Sequence, residues 1–214
     1  MASAVAICNM ALAHIGSAAE VEAISPPDGS REAALCAQFY AQARTELLEP
    51  GGWQFALARA TLAEVTNDSD AWSFAYALPS DCMTAKRVIG ASLTTVYELG
   101  DADIMANPTW MDDNAGGDFQ IEGTVLYTNV ESAVLVYVRD ITDTNKFTPS
   151  FTAALSYTLA SYLAGPIVKG VEGTRVGDAM RQRAISYADS AATASANASL
   201  ETREQTPSSI RARA

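Results

Sequence analysis

The apolar period of this chain changes twice, from helical to strand-like and back, and that switch limits its fold more than any other feature. Ser3 is placed to cap a helix over residues 4–15 that Gly16 stops, with Ile7, Ala11 and Ile15 on one face and Met10 and His14 alongside. Ser25-Pro26-Pro27-Asp28-Gly29 breaks the chain. Ser30 then caps a second helix over residues 31–48, where Leu35 and Phe39 form one stripe and Cys36, Tyr40, Ala43 and Leu47 its neighbour. Pro50-Gly51-Gly52 ends it.

From Trp53 to Arg139 the texture is that of short strands. Runs at 84–89, 93–97, 119–121, 125–128 and 133–138 are rich in β-branched and aromatic residues, and Glu122-Gly123 reads as a hairpin turn. The run Ala133-Val134-Leu135-Val136-Tyr137-Val138 is apolar throughout, as in a strand covered on both faces. Helical spacing resumes at Thr148-Pro149, a cap followed by proline at the first helical position, and continues to about residue 168. A last helix is expected over about 174–198, its second half almost entirely Ala and Ser. The order predicts an α+β fold: a helical bundle from residues 1–52 and 147–199, an inserted antiparallel β-rich domain over 53–146, and a flexible C-terminal arm over 200–214.

Composition narrows the chemistry. The 214 residues are 49% hydrophobic and 18% charged, which suits a chain that buries a core. A net charge of −11 disfavours general nucleic-acid binding, which needs Lys and Arg to neutralise phosphates, and also attraction to anionic membranes. No apolar run is expected to reach the ~20 residues of a membrane span, and no basic segment precedes the first apolar stretch as in a secretory signal. Three cysteines, an odd number and far apart, fit reduced thiols made in a cytoplasm.

No catalytic constellation emerges. His14 is the single histidine, and no partners for a metal site or triad accompany it, so a packed or partly exposed role is expected. Cys8, Cys36 and Cys82 lack CxxC spacing and read as small buried residues. The acidic loop at Asp101, Asp103, Asp112, Asp113 and Asp118 invites a calcium test. A twelve-residue frame opened at Asp112 puts Asn114 and Gly116 at its third and fifth positions and Gly123 where the bidentate Glu belongs, so the motif fails. Gly51-Gly52 and Gly116-Gly117 lack a phosphate-loop pattern, and abundant carboxylates alone do not make a glycosidase. The sequence predicts no enzyme activity, no cofactor and no metal.

A spaced set of residues resembles the tail tubular protein A family of short-tailed phages. It runs through Ile7-Cys8-Asn9-Met10-Ala11-Leu12, Ile15-Gly16, Glu32-Ala33, Leu35-Cys36, Tyr40, Arg44 and Leu47-Leu48. It continues in Trp53-Gln54-Phe55-Ala56, Trp72, Tyr76 and Leu78-Pro79-Ser80-Asp81-Cys82-Met83. It resumes in Leu135-Val136-Tyr137-Val138-Arg139-Asp140, Phe147, Phe151, Ala153-Ala154-Leu155, Leu159-Ala160 and Leu163-Ala164, whereas residues 96–129 match poorly. The resemblance implies a structural head-to-tail adaptor (connector) of the virion, made in the host cytoplasm. Such proteins form a twelve-fold homo-oligomeric ring of helical bundles carrying β domains. The ring docks beneath the portal protein, holds the tail nozzle (tubular protein B-like), and lets double-stranded DNA pass without specific binding and with no membrane involved.

Two charge features fit that expectation. Residues 96–146 hold ten acidic against two basic side chains, a net −8, and Glu98, Asp101, Asp103, Asp112, Asp113 and Asp118 are candidates to face the ring lumen and repel passing DNA. The arm over 200–214 is net +1, with Ile210, Arg211 and Arg213 as candidate portal contacts. A similar ring from a long-tailed phage, with a different partner, fits the same pattern. From another class, Trp110 and the acidic loop suggest a tail component that binds or cleaves bacterial surface carbohydrate.

Overall fold

The computed structural model describes residues 3–50, 53–90 and 117–200. Two compact units emerge, one from residues 1–55 and 142–214 and one from residues 56–141. The described residues hold four helices and two antiparallel sheets, an α+β fold.

The first unit contains α1 (Ala4–His14), α2 (Arg31–Leu48), α3 (Pro149–Val168) and α4 (Gly170–Leu200). Local chemistry sets most of the ends. Ser3, Ser30 and Thr148 accept the backbone N–H of Ala6, Ala33 and Phe151, each relieving one of the orphan donors of a helix start. Past α1, Gly16 sits at φ +76°, and the N–H groups of Gly16 and Ser17 return to the carbonyls of Ala13 and Leu12. That is a Schellman ending, and it needs the left-handed residue that glycine supplies without strain. The connection to α2 is pinned from the side. Asn9 donates to the carbonyl of Val21 at 2.9 Å and accepts its N–H at 2.8 Å, so one amide replaces a strand partner while Val21 is buried.

α3 is the central helix of the bundle. Its twenty residues carry no charge and are long and apolar enough to cross a membrane, against the expectation that no run reaches that length. The run is easily overlooked because hydroxyls interrupt it, yet those hydroxyls are satisfied locally. Ser156, Thr158 and Ser161 donate to the carbonyls of Ala153, Ala154 and Thr158, so Ser156 and Thr158 can be buried with Leu155, Leu159 and Leu163 and Ser161 partly so. At its start, Phe151 is fully buried against Trp53, Phe55 and Phe147 at ring distances of 4.7 to 5.1 Å. Truncating such a ring costs ~3–5 kcal/mol.

α4 begins at Gly170, four residues before the expected start, because only Lys169 separates it from α3. Gly173 and Gly177 let the helices touch closely. A Cβ at 173 would stand 3.0 Å from the Ala164 carbonyl oxygen, and one at 177 would stand 3.1 Å from that of Ser161.

The second unit packs two sheets, with orders β1-β7-β4 and β2-β3-β6-β5. Its strands are β1 (Leu57–Thr61), β2 (Ala63–Glu64), β3 (Phe74–Ala77), β4 (Cys82–Gly90), β5 (Phe119–Glu122), β6 (Val125–Thr128) and β7 (Ala133–Arg139). Ala133, Leu135 and Tyr137 meet Tyr76, Val88 and Leu126 between the sheets, while Val134 and Val136 join Ile89 on the opposite face. The central strand β7 is therefore buried on both sides, as its unbroken apolar run requires. Gly123, at φ +61°, turns β5 into β6. The expected strand at 93–97 lies outside the described residues.

Candidate functional site

Among the described residues of the helical unit, three sets of polar groups stand out, and each ties helices together. His14 on α1 lies 3.1 Å from the Ser156 hydroxyl on α3 and stacks on Tyr157 at 4.1 Å, with Tyr187 of α4 beyond at 5.3 Å. The Ser156 hydroxyl also lies 2.8 Å from the Ala153 carbonyl, and it accepts from His14 when the imidazole proton sits on Nε2. Burial, and then the Arg183 guanidinium, hold the imidazole below its ordinary range, so it stays neutral near pH 7.

Cys8 and Cys36 form the second set, fully buried between α1 and α2. The Cys8 thiol donates to the Cys36 sulfur; that hydrogen bond, then burial, raise Cys8 well above the ordinary thiol range, while the same hydrogen bond lowers Cys36 against the opposing effect of burial. Beside them the Tyr40 hydroxyl is buried and has no hydrogen-bond partner among the described residues, and desolvation pushes its pKa up to about 12. Cys82, in the β unit, is only partly buried, less than its reading as a buried small residue implied.

The third set is centred on Glu46 near the end of α2. Its carboxylate accepts the Tyr162 hydroxyl of α3 and pairs with Arg181 of α4 at 2.6 Å, so one group fastens three helices. Those contacts raise the pKa of both Tyr162 and Arg181. The set forms the wall of a cleft of about 390 Å³ between the end of α2 and α4. Leu47, Ala184 and Ile185 supply its apolar lining, and Glu46, Glu49 and Asp189 its acidic rim.

At the α3–α4 turn the backbone is strained. Lys169 stands at φ 64°, ψ 165°, a corner of conformational space that is essentially glycine's, and Gly170 follows at φ 62°. Val171 next to them is 88% exposed, far more than any other large apolar side chain among the described residues.

In the β unit, Trp72 Nε1 donates to Gln120 at 3.3 Å, and Gln120 donates to Glu122 at 2.8 Å. Asp81 accepts the Tyr137 hydroxyl at 3.0 Å and pairs with Arg139 at 3.2 Å. Burial and then that hydrogen bond raise the Tyr137 pKa.

Of the residues singled out in the sequence, Ile210, Arg211, Arg213, Glu98, Asp101, Asp103, Trp110, Asp112 and Asp113 lie outside the described residues. Asp118 is described. It is exposed just before β5, and its backbone carbonyl accepts the Thr128 hydroxyl at 2.8 Å. Glu46, Arg181 and the Lys169–Val171 turn carry no local sequence signal of a site. Glu46 and Arg181 are 135 positions apart. Compared with known proteins, the chain matches no family model and no curated protein.

Proposed function

We propose that this chain is a head-to-tail adaptor that assembles into a ring, of twelve copies by resemblance, joining a phage portal to the tail nozzle. The observation that carries the reading is where the resembling residues lie. Ile7, Cys8, Ala11, Leu12, Cys36, Leu48 and Trp53, with Phe151, Leu155, Leu159 and Leu163, are buried in the helical unit. Tyr76, Leu135 and Tyr137 are buried in the β unit. Those members of the pattern are core residues, which supports a shared architecture, and an adaptor works through architecture and surfaces without a reaction.

In this reading the arm over 200–214 docks on the portal through Ile210, Arg211 and Arg213. The acidic stretch, with Glu98, Asp101, Asp103, Asp112, Asp113 and Asp118, faces the lumen, so DNA passes without sticking. Mass measurement and negative-stain imaging of the purified protein test the ring, and closed particles of one size are expected. A chain that stays monomeric alone and on portal rings refutes the reading. Removing residues 200–214 should leave the unfolding midpoint unchanged and weaken capture by portals. Undiminished capture would refute the arm's role.

A further inference from the structure

We propose that neighbouring copies join head to tail, the Val171 turn of one copy seated in the acid-rimmed cleft between α2 and α4 of the next. The inference rests on the ring reading and names the contact that would build it. Exposing a valine at 88% costs solvation, and holding Lys169 in a glycine conformation costs backbone energy. Both costs fall at one turn, and the turn cannot relax inward. Gly173, one turn further on, already lies against the Ala164 carbonyl, so the start of α4 is fixed on α3. The result is a rigid apolar knob flanked by the Lys169 ammonium, with Glu172 and Arg175 pairing with one another at 3.5 Å.

The cleft is its complement. Its lining is apolar at Leu47, Ala184 and Ile185, with Ile185 47% exposed. Glu46, Glu49 and Asp189 line its rim beside Arg181, which pairs with Glu46. A valine beside one positive charge suits a small apolar hollow with an acidic rim. A second copy is the partner favoured, because every copy carries both halves of the match.

Geometry then determines the kind of assembly. Val171 and Ile185 are fourteen residues apart on one helix, about 21 Å at 1.5 Å per residue. Knob and cleft are therefore different patches, and their contact is heterologous. Repeated contacts of that kind close into rings or run on as filaments, whereas a two-fold dimer would need the same patch on both sides.

The test uses full-length protein. Val171→Cys and Ile185→Cys are made as separate variants, mixed, and oxidised with copper phenanthroline. A disulfide-linked pair should form in the mixture and not in either variant alone, which also controls for native Cys82. Val171→Asp should keep the wild-type unfolding midpoint but raise the concentration for half-assembly more than about tenfold, the effect of losing a 1.4 kcal/mol contact. Asp189→Lys should weaken assembly, and Lys169→Glu added to it should restore it. If wild type forms rings while Val171→Asp assembles equally well, or the mixture does not cross-link, the contact is wrong and the ring stands. A Val171→Cys chain that links to added portal protein and not to Ile185→Cys would make the portal the occupant and overturn the contact between copies. A wild-type chain that stays monomeric both at millimolar concentration and on portal rings overturns the contact and the ring together.

Discussion

Replacing Lys169 by glycine should stabilise the helical unit, although it removes a whole side chain. At φ 64°, ψ 165° a residue with a Cβ stores ~1–3 kcal/mol that glycine does not. Against this, glycine gains freedom in the unfolded chain, worth ~0.4–1 kcal/mol. The lost side chain is exposed, and such surface changes usually stay within ~0.5 kcal/mol. The strain is the larger quantity, and the net expected is about 1 kcal/mol of stabilisation, or ~2–4 °C for a chain of this size. Lys169→Ala is the decisive control, because it removes the charge and keeps the Cβ. Urea unfolding followed by helical circular dichroism, below the concentration of assembly, should show a higher midpoint with unchanged slope for Lys169→Gly and almost no shift for Lys169→Ala. Equal shifts in the two variants would trace the effect to charge and sink the strain argument. A less stable Lys169→Gly would refute it outright.

Tyr40→Phe removes a buried hydroxyl without a partner and should stabilise by ~1 kcal/mol, read as a higher urea midpoint; a loss of stability would mean the hydroxyl is satisfied. Gly177→Leu drives a side chain against the Ser161 carbonyl and should cost ~1–3 kcal/mol, visible as a lower melting temperature, even though leucine favours helix over glycine by nearly 1 kcal/mol. His14 is held below its ordinary range by burial and by Arg183, so the unfolded chain takes up the proton first as pH falls. Its contribution should be full above the ordinary value near 6.5 and decline as pH drops from there toward the lowered folded value. His14→Gln should flatten the stability profile between about pH 7 and pH 5, and an unchanged slope would assign the dependence to other groups.

Where local chemistry decides structure, it could be read directly. Ser3, Ser30 and Thr148-Pro149 mark helix starts because a side-chain oxygen satisfies an N–H a few residues on. Strands β1 and β3 were harder to see, since Leu-Ala-Arg-Ala-Thr and Phe-Ala-Tyr-Ala have modest strand preference of their own. Pairing of Leu57–Thr61 with β7 and of Phe74–Ala77 with β6 makes them strands. Gly170 and Gly173 hid the start of α4 because they lower helix propensity, and at Gly173 the close approach of α3 requires the bare backbone. The cleft was illegible for another reason. Its wall joins Glu46 to Arg181, and no short-range pattern reports a partner so distant along the chain.

Inserting the β unit between the second and third helices sets a clock on synthesis. α1 and α2 are finished by Leu48, but the helix that buries their apolar faces begins only at Pro149. At the ~5–20 residues per second of translation, the hundred residues between are made over roughly 5–20 s. During that time Ile7, Leu12 and Leu48, all buried in the finished unit, lack the helix that α1 and α2 pack against. A nascent chain arrested just before Pro149 should bind holdase chaperones, and one extended past Val168 and clear of the ribosome should release them.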